Sequence, residues 1–283
     1  MGPMHGHSKV IGILGNPIGH SLSPRMHNAA IQALKLPYVY VPCEVPKDRI
    51  GEAVFGLRAL NFCGANVTLP FKQSVLPFLD EVSPLSQILQ AVNTIVNKNG
   101  RLWGTSTDGQ GFIQSFHEQG FSFAGESLAI FGTGGSARSI LLTVLLEEKP
   151  AQIFLVGRNA AALKKLAQEC REKTGRDVEP VLPEDYDSIK SRCRILVNCT
   201  PLGMAPYEEE SILEADQLMP GQIVYDIVYN PRETRLLRLA RAGKLKTVGG
   251  LGMLIHQGIA SFTHWTGMQP DPEIYFKALE HAF

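Results

Sequence analysis

The chain has 283 residues, 44% of them apolar and 19% charged, which is enough hydrophobic material for packed cores and more length than one ordinary domain needs, so two domains are expected. Lysine plus arginine equal aspartate plus glutamate at 27 each, so the field that would hold a polyphosphate backbone is missing and nucleic acid is excluded as a partner. The apolar stretches fall short of the roughly 20 residues of a membrane span, and Cys43, Cys63, Cys170, Cys193 and Cys199 are scattered without Cys-x-x-Cys spacing, which argues for the cytoplasm and against zinc. No His/Asp/Glu spacing suggests a metal, and His20, His27 and His256 read as structural. Met1–Ser8 does not look like a signal peptide and is left out of the fold reading.

Val10–Leu14 reads as a buried strand ended by Gly15-Asn16-Pro17, followed by a helix from Pro24 with Ser23 as its N-cap. Tyr38–Val41 is a strand, Asp48–Leu60 has helical spacing, and Ala65–Leu69 is a strand stopped by Pro70. This β-α alternation calls for a parallel sheet covered by helices. Between Ala91 and Trp103, two apolar runs flank Asn97-Lys98-Asn99-Gly100, whose Asn-Gly step favours a hairpin turn and an antiparallel sheet edge. From Ser127 the alternation restarts with strand Leu128–Phe131, a glycine loop, a helix to Leu146, strand Ile153–Val156 and a helix from Ala160. Ile195–Asn198 and Ile223–Ile227 supply further strands, and Leu251–Trp265 is a long apolar helix.

Gly132-Thr133-Gly134-Gly135-Ser136-Ala137 lies between a strand-like and a helix-like run, the context that makes G-x-G-x-x-A a dinucleotide-binding turn. Gly132 permits the tight turn, Gly134 lets the backbone approach a pyrophosphate, and Ala137 lets helix and strand pack closely while helix N-terminal amides hold the anion. An NAD site would carry an acid at the end of the next strand to take the ribose hydroxyls. Here the strand ends at Val156-Gly157-Arg158-Asn159, and Arg158 suits a 2′-phosphate, so NADP is the expected cofactor.

Lys72 follows the strand that leads into Pro70, and Asp108 lies in Thr107-Asp108-Gly109 just past another. Strand ends are where α/β sheets carry their sites. A carbonyl that becomes an alkoxide must receive a proton, and Lys72 can supply it. An adjacent Asp108 would favour the charged ammonium, which suits a proton donor facing a developing negative charge.

Gly15-Asn16-Pro17-Ile18-Gly19-His20-Ser21-Leu22-Ser23-Pro24-Arg25-Met26-His27-Asn28 resembles the opening substrate loop of shikimate dehydrogenases. The resemblance continues in order through Asn66-Val67-Thr68-x-Pro70-x-Lys72, Ala91-Val92-Asn93-Thr94, Thr107-Asp108-Gly109, the Gly132 turn and Asn198-x-Thr200. It ends with Asp226-x-x-Tyr229-x-Pro231-x-x-Thr234 and Gly250-Leu251-Gly252-Met253-Leu254-x-x-Gln257.

The resemblance implies an α/β fold with an N-terminal substrate domain, residues 9–107 and 251–283, and a Rossmann-like NADP-binding domain, residues 108–250. The last helices return to the first domain, and the site is expected in a cleft between the two. Ser21 and Ser23 would hold the substrate carboxylate, and Asn66, Thr68, Asn93, Asp108 and Gln257 the ring hydroxyls. Lys72 would serve the reacting oxygen, with Asp108 as its catalytic partner. Tyr229 would contribute to substrate binding from the nucleotide domain. Gly132–Ala137, Gly157, Arg158, Asn159 and Thr200 would hold the dinucleotide, and Ile227, Gly250 and Met253 would line its nicotinamide side.

The implied activity is reversible NADPH-dependent reduction of 3-dehydroshikimate to shikimate, a step toward chorismate and the aromatic amino acids. The expected partners are this small-molecule substrate and a second copy of the chain in a homodimer, with no membrane. Family members commonly carry Asn-Thr-Asp-Gly where this chain has Ser106-Thr107-Asp108-Gly109, and Asn-Arg-Thr where it has Gly157-Arg158-Asn159. Members that grip the 2′-phosphate strongly often add a second arginine a turn later, where Ala161 and Ala162 precede Lys164 and Lys165, so a modest preference for NADP is expected. Two alternatives stay open: an NAD-dependent quinate/shikimate dehydrogenase, and a catalytically silent sensor of ring acid and dinucleotide.

Overall fold

A computed structural model describes residues 6–282; the start of the Met1–Ser8 segment and Phe283, the end of the expected substrate domain, lie outside the described residues. The chain forms two compact units: one runs up to Thr107 and resumes at Ile255–Ala282, and the other is Asp108–Leu254.

The first unit begins with β1 (Lys9–Gly15), α1 (Ser23–Ala33), β2 (Tyr38–Glu44), α2 (Ile50–Ala59) and β3 (Gly64–Val67). It continues with β4 (Glu81–Val82), α3 (Pro84–Leu89), β5 (Thr94–Lys98) and β6 (Arg101–Thr105). The second unit holds α4 (Asp108–His117), β7 (Ser127–Phe131), α5 (Gly135–Glu147), β8 (Gln152–Val156), α6 (Ala160–Thr174) and β9 (Glu179–Val181). After these come β10 (Ile195–Asn198), β11 (Ile223–Asp226), α7 (Arg235–Ala242) and β12 (Lys246–Gly249). Helix α8 (Leu251–Thr266) starts in the second unit and ends in the first, where α9 (Pro272–Leu279) packs against α1.

The sheet of the first unit has the order β2-β1-β3-β5-β6-β4. Strands β1, β2 and β3 are parallel, and β5 joins β3 antiparallel. The central strands β1, β3 and β5 are buried along most of their length, with the polar Asn66 and Thr94 set among apolar side chains. Leu14, Val67 and Ile95 are fully buried with Val54 and Leu57 of α2 and with Phe71 and Val75, and each such side chain contributes about 1.5–3 kcal/mol when removed from water. The β5–β6 turn places Asn99 and Gly100 at φ 54° and 87°, the left-handed pair that a tight hairpin demands.

The second unit is a six-stranded parallel sheet in the order β12-β11-β10-β7-β8-β9. The chain walks outward from β7 through β8 to β9, then crosses back to lay β10 on the other side of β7. The gap between the carboxyl ends of β7 and β10 is thus the point where strand order reverses, the ligand crevice of open α/β sheets. One core cluster gathers Phe131, Phe154, Val156, Leu196, Val224, Leu236 and Leu237. Another packs Phe112 and Phe116 of α4 with Phe123 and Tyr225.

Several local expectations are corrected. Ser23 is the first helical residue, not the N-cap of α1: Leu22 precedes the helix already in helical conformation (φ −83°, ψ −11°) and no side chain caps it. The turn that closes from Ser21 N–H to Ile18 O at 3.0 Å winds the chain one residue early, so Ser23 lacks the extended backbone a capping hydroxyl needs. Strand β3 stops at Val67 rather than Leu69, because a turn closes from Phe71 N–H to Thr68 O at 2.9 Å. The β5–β6 hairpin is antiparallel but not the sheet edge. The two-residue β4 lies outside it, paired with Trp103 and Gly104, and is too short and too polar to betray itself in the sequence.

Candidate active site

In the first unit, the ends of β1 and β3 and the start of β5 draw the motif residues together. Thr68 N–H donates to Leu14 O at 2.9 Å, and the Thr68 methyl fills the space where a Cβ on Gly15 would stand, 2.5 Å away. This is why a glycine ends β1 beside Thr68. The Lys72 turn is tied to the next motif by the bond from Val92 N–H to Lys72 O at 2.8 Å, and Val67 N–H donates to Asn93 O at 2.8 Å.

Asn66 and Asn93 are almost fully buried. The Asn66 amide donates to Asn93 O at 3.0 Å and Ser261 Oγ at 3.1 Å, and its oxygen accepts from Tyr40 OH at 2.7 Å. The Asn93 side chain donates to Thr107 Oγ1 at 2.9 Å and Gln257 Oε1 at 3.4 Å, and its oxygen accepts from Thr94 Oγ1 at 2.8 Å and Thr107 N–H at 2.9 Å. Thr107 Oγ1 also donates to Gln257 O at 3.0 Å. The structure therefore brings Asn66, Asn93 and Gln257 into one network of neutral donors and acceptors. Such a network can present hydroxyl-binding groups without burying a charge.

Ser21 Oγ accepts from Ser23 N–H at 3.3 Å, which places both serines at the start of α1. Ser23 is buried, while Ser21, Thr68 and Lys72 are half-buried. Sequence reading passed over Tyr40 and Ser261 as members of the network. Tyr40 looked like an ordinary strand aromatic, and Ser261 lies deep in an apolar helix, so neither carries a local signal.

In the second unit, Gly132 ends β7 at φ 112°, and a Cβ there would meet Cys199 O at 3.1 Å and Thr200 Cγ2 at 3.3 Å. The Gly132 turn and Thr200 therefore flank the crevice between β7 and β10. Gly134, the N-cap of α5, offers no side-chain cap to the first turn, and a Cβ on Gly134 or Gly135 would meet nothing within 4 Å. Gly134, Gly135 and Ser136 are exposed, whereas Ala137 is buried beneath them. An uncapped helix start with open space above it fits a pyrophosphate.

Thr133 and Gly157 sit together, since Thr133 Cγ2 lies 3.5 Å from the place of a Gly157 Cβ. Arg158 is exposed just past β8, the strand beside β7. Asn159 is occupied as the N-cap of α6, accepting from Ala162 N–H at 3.0 Å. The residues present thus fit a phosphorylated dinucleotide.

Beyond β10 and β11 lies a second network. Asn198 accepts from Thr200 N–H at 2.9 Å and Thr200 Oγ1 at 2.8 Å, and donates to Asp226 Oδ1 at 3.0 Å. Ile227 and Tyr229 follow, both half-buried, and burial raises the Tyr229 hydroxyl. Gly250 lies against Ile227, because a Cβ there would stand 2.0 Å from Ile227 O. Met253 is in the first turn of α8, and the buried Tyr225 hydroxyl pairs with Ser115 Oγ at 2.6 Å. Asp108 is the half-buried first residue of α4, and Gly109 beside it leaves no room for a Cβ, which would stand 2.1 Å from Thr143 Oγ1.

His27 stacks on Tyr40 at 4.4 Å, meets Tyr275 OH at 3.2 Å through Nδ1, and is held neutral by burial, with its pKa lowered to about 3. That environment is structural. Among the described residues no group of three His, Cys, Asp or Glu is arranged to hold a metal, and no helix is long and apolar enough to cross a membrane.

A parallel sheet with a glycine turn at its point of reversal, joined in one chain to an α/β unit lined with neutral hydroxyl-binding groups, defines a two-unit dinucleotide-dependent dehydrogenase. Residues 13–95 match the shikimate dehydrogenase substrate-binding domain, and residues 250–274 match the shikimate 5′-dehydrogenase C-terminal domain. The NADP(+)-dependent shikimate dehydrogenase of Symbiobacterium thermophilum is 42% identical over 93% of this chain and 90% of its own. That of Carboxydothermus hydrogenoformans is 37% identical over 98% of both. The crystal structure of shikimate 5-dehydrogenase from Listeria monocytogenes, in complex with shikimate and NAD, superposes with a TM-score of 0.93 at 35% identity and covers 99% of each chain. The chain belongs to the shikimate dehydrogenase family.

Proposed function

We propose that this chain catalyses the reversible NADPH-dependent reduction of 3-dehydroshikimate to shikimate. The observation that carries the reading is the convergence of Asn66, Asn93, Thr107 and Gln257 in one neutral network beside the Lys72 turn, in a chain 42% identical to an NADP-dependent shikimate dehydrogenase.

The dinucleotide, when bound, exchanges a hydride with the ring carbon that bears the reacting oxygen. Lys72 Nζ gives its proton to that oxygen as it becomes an alkoxide and takes it back in the reverse direction. Asp108 orients the ammonium and a ring hydroxyl. Ser21 and Ser23 donate to the substrate carboxylate, Thr68, Asn93 and Gln257 hold ring hydroxyls, and Tyr229 adds a further contact. Asn66, which like Asn93 is held by its amide bonds, here to Asn93 O, Ser261 and Tyr40, faces a ring hydroxyl with Thr68, Asn93 and Gln257. Gly132–Ala137 and Thr200 take the pyrophosphate side, Gly157, Arg158 and Asn159 the adenosine ribose, and Ile227, Gly250 and Met253 the nicotinamide side.

Residues 9–107 with 251–283 are assigned to the substrate domain and 108–250 to the nucleotide domain. The reading also places the protein in the route to chorismate and the aromatic amino acids, and in the cytoplasm, a reducing compartment that suits its five unpaired cysteines. A homodimer is the assembly to check first, by light scattering.

The test is absorbance at the reduced-nicotinamide band with shikimate or quinate, each paired with NADP or NAD. Turnover dominated by shikimate with NADP is expected. A dominant quinate or NAD rate would move the chain to the quinate/shikimate class, and no rate in any pairing would leave only ligand binding.

A further inference from the structure

We propose that Asp226 is a positioning residue: its buried carboxylate ties the loops after β10 and β11 into one piece and so sets Thr200, Ile227 and Tyr229 for their ligands. This rests on the dinucleotide and substrate assignments made above for those three residues.

Asp226 is fully buried at the end of β11. Its Oδ1 accepts from Asn198 Nδ2 at 3.0 Å and from Val228 N–H at 3.0 Å, and its Oδ2 accepts from Thr234 Oγ1 at 2.7 Å. Each partner has a second task. Asn198 receives both the N–H and the hydroxyl of Thr200, the residue against which Gly132 packs. Val228 N–H lies between Ile227 and Tyr229, so its bond fixes the chain segment that carries both. Thr234 Oγ1 also accepts from Leu237 N–H at 3.3 Å as the N-cap of α7. One side chain therefore sets the β10 loop on one hand and the β11 loop on the other.

The fold has no evident need for a carboxylate here. The groups that bond it are neutral, and Cys199 and Tyr225, which also face it, are buried and uncharged. Burial pushes the Asp226 carboxyl up to about 6, against the hydrogen bonds that hold it down. A side chain that opposes stability near neutral pH and yet organises two ligand-facing loops is explained by the second task rather than the first. An asparagine would fill the same volume and could keep the bonds from Asn198 and Val228. Its amide would confront a Thr234 hydroxyl that already accepts from Leu237 N–H, and that hydroxyl would lose the acceptor for its own proton.

The test compares Asp226→Asn, Thr234→Val and Thr234→Ser with the wild-type chain. It reads three quantities: the Tm near neutral pH, calorimetric Kd values for NADP+ and for adenosine 2′,5′-bisphosphate, and kcat and KM with shikimate. Adenosine 2′,5′-bisphosphate carries the adenosine end with a single phosphate of the bridge and lacks the nicotinamide half that the Ile227 loop faces. Asp226→Asn is expected to keep or raise the Tm, to weaken NADP+ about tenfold, to weaken the bisphosphate clearly less than NADP+, and to lower kcat about tenfold. Thr234→Val is expected to show the same losses in NADP+ affinity and kcat but with a lower Tm, because it also removes the N-cap of α7, and Thr234→Ser, which keeps the hydroxyl, to restore wild-type values.

Wild-type Kd and kcat in Asp226→Asn would overturn the proposal. So would an equal weakening of both nucleotides together with a lowered Tm, which would mark a purely structural role. If the wild-type chain proved inactive with shikimate, the functional reading would fail, while the two Kd comparisons would still decide the role of Asp226.

Discussion

Replacing Gly250 by alanine tests whether the nicotinamide side is held as rigidly as its contacts require. The added Cβ would stand 2.0 Å from Ile227 O and 2.4 Å from Ile227 C, whereas ordinary contact begins at 3.4 Å, so the two segments must separate by about 1.4 Å. Neither can yield by turning a side chain, because both atoms are backbone. Ile227 N–H is bonded to Asn198 O at 3.1 Å, and Val228 N–H to Asp226. On the other side, Leu254 N–H bonds Gly250 O at 3.1 Å, and Gly252 has Ser115 Cβ at 3.0 Å from its own Cβ position.

Overpacking of this kind costs about 1–3 kcal/mol, which for a domain of this size lowers the Tm by about 3–10 °C. A displacement of about 1 Å beside reacting atoms costs on the order of 100-fold in rate. Differential scanning fluorimetry and steady-state turnover of shikimate with NADP+ read both effects. A Tm within about a degree of wild type and a kcat/KM within about twofold would refute the claim that the Ile227 backbone is pinned.

Four further outcomes are expected. Lys72→Met should lower kcat by about 100-fold or more with KM little changed, whereas a rise in KM alone would mean that Lys72 only binds. Arg158→Ala should raise the KM for NADP+ about 10- to 100-fold, the worth of a charge-assisted bond to phosphate, and leave that for NAD+ unchanged; equal losses for both would place Arg158 away from the 2′-phosphate.

His27, lowered from 6.5 to about 3 by burial, stays neutral in the folded state while the unfolded chain protonates. Stability is therefore lost as pH falls below about 6.5, and His27→Phe should recover up to about 3 kcal/mol of that loss by about pH 4 in urea titrations; an unchanged acid profile would refute it. Asp226 has the opposite sign, because its pKa is raised from 3.8 to about 6. Its folded form binds the proton more tightly, so stability is lost as pH rises through that window, by up to about 3 kcal/mol. The Tm advantage of Asp226→Asn should accordingly grow from about pH 4 to about pH 7, and a constant difference would contradict the raised pKa.

The strands that lie inside each sheet were readable because burial on both faces demands continuous apolar runs, as in Ile195–Asn198 and Leu128–Phe131. The glycine turn was readable because a positive φ at Gly132 and the open approach at Gly134 and Gly135 restrict the residue type itself. What escaped were elements stabilised mainly by their neighbours. Strand β4 exists because Asp80 and Ser83 donate N–H groups to Leu102 and Gly104 on β6. Helix α4 escaped because its apolar face, Phe112 and Phe116, packs on Phe123 just past its end and on Tyr225 far along the chain.

By itself the sequence determined the two-part α/β plan, the order of the motifs, a candidate proton donor and the phosphate turn, because each depends on a residue type at a local position, while the hydroxyl binders came through the family resemblance. Only the tertiary structure decided which of these meet. Asn66 satisfies its amide through Tyr40, Asn93 and Ser261, and Asp226 reaches both Asn198 and Thr234. The physical reason is that a buried polar group must find partners wherever the fold brings them. Those partners lie as far as 195 residues away, a separation across which local sequence pattern carries no information.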